Sequence, residues 1–67
     1  MSKSIAVHGM SCEHCENTVE EAIESVSGVT GVRVDHETDS ATIDGTAETH
    51  ALIAAIEDAG YDAEVAD

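Results

Sequence analysis

Two apolar stripes of the same period dominate this chain. Val19, Ala22, Ile23 and Val26 fall at i, i+3, i+4 and i+7, and Leu52, Ala55, Ile56 and Ala59 repeat that spacing. The period keeps one face of an α-helix apolar, so it predicts two amphipathic helices that each need a surface to bury against. Short alternating runs flank both: Ile5 and Val7, Val32 and Val34, Ala41 and Ile43, Ala63 and Val65. Alternation of this kind predicts strands with one buried face. Gly28 is placed to end the first helix, whose outer face carries Glu16, Glu20, Glu21 and Glu24. His36 to Asp39 read as a polar turn, and Gly60 closes the second helix.

The order is β-α-β-β-α-β, and its halves echo each other as strand, glycine, helix, glycine, strand. An α+β fold follows: a ferredoxin-like βαββαβ sandwich, a four-stranded antiparallel sheet with both helices on one face. The interval from Gly9 to Gly28 is longer than that from Gly45 to Gly60, and a loop carrying the chain's two cysteines occupies the difference.

With 67 residues the chain has room for one domain, residues 1–67, and one small core. It has no Phe or Trp and a single Tyr, so the core must be built from small aliphatic side chains. Walls for an enclosed pocket are lacking, and the chain is not expected to be an enzyme. Fifteen acidic residues against two basic ones, Lys3 and Arg33, give a net charge of −13. That charge repels phosphate backbones and anionic lipid surfaces, which disfavours nucleic acid and membrane partners. The acids recur along nearly the whole length, as in a halophilic surface kept hydrated in salt; an acidic docking face for a basic partner would be local. Met1 to Val7 lack the basic and apolar segments of a signal peptide, and no apolar run is long enough for a bilayer. A cytoplasmic chain with thiols kept reduced is expected.

Cys12 and Cys15 stand two residues apart where a loop enters the first helix. Unpaired N–H groups and the helix dipole favour thiolate there, while Glu13 and Glu16 act in the opposite direction. Structural zinc wants four protein ligands, and beyond the two cysteines only His8 and His14 are near. Two thiolates alone suit copper(I) or another soft ion that accepts low coordination. Such an open site also admits an incoming thiolate, as metal transfer requires. A chain with this site is expected to be monomeric without metal, and two copies can share an ion. His14 between the cysteines is open to two readings: a residue that tunes or supplements the thiolates, or a solvated loop residue. His8, His36 and His50 read as plain surface residues. Met10 reads as a side chain that tethers the loop to the core, with thioether ligation the alternative.

At this point the residues resemble a known family. Gly-Met-Ser-Cys-Glu-His-Cys, from Gly9 to Cys15, is similar to the signature of heavy-metal-associated domains, and Ala-Gly-Tyr-Asp-Ala, from Ala59 to Ala63, resembles their loop before the last strand. The resemblance implies that Cys12 and Cys15 bind copper(I) and that Tyr61 lies near the metal. It also implies a bacterial or archaeal type of copper chaperone, delivering copper(I) by thiolate exchange to the metal-binding domains of a copper-transporting P-type ATPase. The competing readings are a mercury-binding relative, a metal-binding domain excised from such a pump, and, from another class, a thiol-disulfide oxidoreductase.

Overall fold

Ile5 and Val7 of β1 (Ser2–His8) and Ala41 and Ile43 of β3 (Ser40–Gly45) are all buried, as alternation requires of strands with one apolar face. The computed structural model describes residues 2–66. Its other elements are α1 (Glu13–Glu24), β2 (Val29–Asp35), α2 (Thr49–Asp58) and β4 (Asp62–Val65). The strands form one antiparallel sheet in the order β2-β3-β1-β4, which is the ferredoxin-like topology. No described helix is long and apolar enough to cross a membrane.

Both helices lay their stripes on the same face of the sheet. Val19 and Ile23 of α1 and Leu52 and Ile56 of α2 join Ile5, Val7, Ala41 and Ile43 in one core, completed by Met10 and Ala47. Complete burial of each large aliphatic side chain stabilises by roughly 1.5–3 kcal/mol. Among the described residues no polar or charged residue is buried, so no desolvated charge offsets that gain. The opposite face, carrying Arg33, Thr42 and Asp44, is open to solvent.

Two expectations need correction. Helix α1 ends at Glu24, four residues before Gly28. Ser25 stops it there: its hydroxyl donates to the Ala22 carbonyl at 2.6 Å, a local bond that competes with helix propagation. Val26 therefore packs against the core from the turn beyond the helix. Val65, expected on a buried face, is 56% exposed, because β4 is a short edge strand with only β1 beside it and Val65 is its last residue.

Register decides which loops meet. His8 at the end of β1 pairs with Asp62 at the start of β4, and Ala6 pairs with Ser40 at the start of β3. The cysteine loop after β1, the 36–39 turn before β3 and the loop before β4 therefore gather at one end of the sheet. At the other end the turn into β2 crosses the turn out of β3. There the Gly28 carbonyl accepts the Thr46 N–H at 2.9 Å, and a Cβ on Gly45, whose φ is +129°, would fall on that carbonyl. Gly60, at φ +99°, has nothing in the way of an added Cβ.

The two glycines separate strain from collision. Gly60→Ala is expected to cost about 1 kcal/mol for the left-handed backbone alone, and Gly45→Ala about 3 kcal/mol because the chains must also move apart. Urea unfolding of both variants checks this, and equal costs would contradict the crossing.

Candidate metal centre

The loop that leaves β1 is shaped by two residues before the first cysteine. Gly9 takes φ +103°, which turns the chain over the ring of Tyr61; a Cβ there would lie 3.5 Å from the Tyr61 Cδ1 atom. Met10 then drops into the core with 8% of its surface exposed, leaving Ser11 and Cys12 outside. Cys12 is the N-cap of α1, in extended conformation, and makes no side-chain capping bond. Its carbonyl accepts the N–H of Cys15 at 3.0 Å and of Glu16 at 3.2 Å, so the first turn closes around it. The helix boundary thus falls at Cys12, with Cys15 in the first turn.

This places the two sulfurs 4.0 Å apart. Cys12 is exposed and Cys15 half-buried, both as free thiols. The environment of Cys15 draws its pKa from 9.0 down to about 6, chiefly through the Ser11 backbone N–H, then the hydroxyls of Tyr61 and Ser11, with the Cys12 N–H adding to them and burial opposing. Ser11 Oγ lies 3.8 Å from the Cys15 sulfur. Tyr61 feels the reciprocal effect: donation to Cys15 is the first cause raising its own pKa.

The sequence places Glu16 on the outer face of α1 and His36 on the plain surface, and both assignments need correction. Glu16 Oε2 accepts the His36 backbone N–H at 2.7 Å and lies 2.5 Å from its Nδ1, with the two side chains only 20% and 31% exposed. The hydrogen bond to His36 lowers the Glu16 pKa and raises that of His36. The pair therefore contributes stability in the pH window between the two, lost in acid as Glu16 protonates and lost again as pH rises through the raised His36 value. The net shift at Cys15 is downward, so the opposition expected from Glu13 and Glu16 yields to the hydrogen bonds. These partners lie twenty residues apart in the chain, and no local pattern announces them.

His14 is exposed, and its carbonyl accepts the Thr18 hydroxyl at 3.1 Å. His8 faces Glu64 at 3.4 Å on the solvated side of β1 and β4, and His50 is exposed on α2.

A ferredoxin-like sheet with paired thiols on the loop after β1 defines a heavy-metal-binding class of small domains, and the comparisons agree. The chain belongs to the heavy-metal-associated domain family, whose model matches residues 4–62. It is 40% identical over 65 residues to the copper chaperone CopZ of Staphylococcus haemolyticus, covering 92% of this chain and 96% of that protein. It is also 40% identical over 68 residues to copper-transporting ATPase 2 of Rhizobium meliloti, covering 98% of this chain and 8% of that much longer one. Among solved structures, a copper-binding domain from the P-type ATPase HMA7 superimposes with a TM-score of 0.95 at 30% identity, covering 98% of this chain and 93% of that one.

With Cys12→Ser removing the second thiol, alkylation of Cys15 should reach half its limiting rate near pH 6, and Tyr61→Phe should move that midpoint upward. The thiolate's contribution to stability is complete above about 9 and lost as pH falls through about 6. A midpoint near 9 in the Cys12→Ser chain would contradict the hydrogen bonding described.

Proposed function

We propose that this chain is a cytoplasmic copper(I) chaperone that holds its ion between Cys12 and Cys15 and delivers it to the metal-binding domains of a copper-transporting P-type ATPase. The observation that carries this reading is the pair of sulfurs 4.0 Å apart, one exposed and one hydrogen-bonded in the first turn of a helix. Metal–sulfur bonds of roughly 2.3 Å would meet across that gap at about 120°, open enough for a third ligand. The soft thiolates favour a soft monovalent ion over a closed zinc site. Likeness to a chaperone and to part of a copper pump supports both sides of the exchange, since donor and acceptor would present the same kind of loop.

In the transfer step a thiolate of the partner bonds to the ion while both cysteines still hold it. The bond to exposed Cys12 then breaks, Cys12 leaves as thiolate or takes a proton from water, and Cys15 follows when a second partner thiolate arrives. Copper stays in the +1 state throughout, so no oxidant or reductant is needed. The chain acts as a carrier and not as a catalyst.

Anaerobic titration of the reduced chain with copper(I), against a chelator of known affinity, should show one ion per chain. Cys12→Ser/Cys15→Ser should abolish it, and mixing loaded chain with the metal-binding domain of such an ATPase should move the copper across. Undiminished copper binding by the doubly substituted chain would overturn the reading.

A further inference from the structure

Glu16, Asp35 and His36 bring two carboxylate oxygens and an imidazole nitrogen within 4.8 Å of one another. They come from separate parts of the fold, Glu16 from α1 and the other two from the end of β2 and the turn after it. The paired hydrogen bonds from His36 already orient the Glu16 carboxylate and the ring. Asp35 Oδ1 accepts the Glu37 N–H at 2.9 Å, which orients the third donor, and its second oxygen takes no hydrogen bond among the described residues.

We propose that Glu16, Asp35 and His36 form a second metal site, for a borderline divalent cation of the zinc class, chemically distinct from the cysteine pair. One imidazole and two carboxylates are hard and borderline donors, poorly suited to a soft monovalent ion but matched to zinc, with water in the fourth position. Zinc bonds to nitrogen and oxygen of roughly 2.0–2.2 Å put neighbouring ligand atoms on a tetrahedral ion about 3.4 Å apart. The Glu16–His36 contact has to open from 2.5 Å toward that spacing, which side-chain rotation supplies. The ion takes the place of the proton between Nδ1 and the carboxylate, and any proton displaced from the ring passes to water. The surrounding charge of −13 favours a divalent cation further. Because Glu16 follows Cys15 directly, a cation here would pin the start of α1 to the turn before β3.

Zinc(II) is titrated calorimetrically into the full chain carrying Cys12→Ser/Cys15→Ser, so that no thiol competes. One equivalent should bind, and its affinity should fall about tenfold or more in Asp35→Asn and in His36→Gln, at least the loss that follows removal of an outer-sphere partner. In the same chain zinc should shift the ring resonances of His36 and leave those of His8, His14 and His50 in place, a readout that needs no further variant. Absence of zinc binding, affinity unchanged by both substitutions, or shifts centred on another histidine would overturn the site. Since the thiols are absent from this experiment, its failure leaves the copper reading standing, and the converse also holds.

Discussion

The cysteine loop depends on the burial of Met10. A loop that joins a strand to a helix costs about 1–2 kcal/mol for each residue fixed, and exposed Ser11 and Cys12 have little burial of their own to offset it. Met10 is their anchor: its nearly buried side chain contributes roughly 1.5–3 kcal/mol and holds the segment between β1 and α1 against the core. With that point held, Gly9 can turn across Tyr61, Cys12 can cap the helix, and the sulfur of Cys15 comes within reach of Ser11 and Tyr61. A polar residue at position 10 would lose the anchor without touching either sulfur.

The electrostatics of the site are set by hydrogen bonds more than by net charge. In a chain with fifteen acidic residues, a thiolate is surrounded by unfavourable long-range potential. Such charges are exposed and screened, whereas an N–H or hydroxyl in contact with the sulfur acts at full strength. The acid nearest in sequence, Glu16, is bound by His36, so its charge is partly answered where it stands. A single acidic chain can thereby keep a solvated carboxylate surface and a readily ionised thiol a few residues apart.

Much of this was legible in the sequence, and the parts that were not share a cause. Valine, isoleucine and leucine spaced at the helical period, and apolar pairs alternating between them, predict the element order and the buried faces of β1 and β3 because their spacing has one geometric solution. The pairing of Cys12 with Cys15 and the neighbourhood of Tyr61 follow from motif and family resemblance, and the structure places Tyr61 against the same loop. The early end of α1 depends on one hydroxyl, that of Ser25, choosing a backbone carbonyl. The exposure of Val65 depends on which strand lies at the edge, and the Glu16–His36 pair on a contact across twenty residues. Each is a tertiary choice among locally acceptable conformations, which periodicity does not encode.

The proposed copper site offers two sulfurs, and nothing else that is obligatory, to a soft ion. X-ray absorption at the copper edge of the copper(I)-loaded chain tests it most directly, because it reads the elements bonded to the ion. Sulfur neighbours in a low-coordinate shell are the expected result. Nitrogen or oxygen ligands in that shell, or a four-coordinate ion, would contradict it.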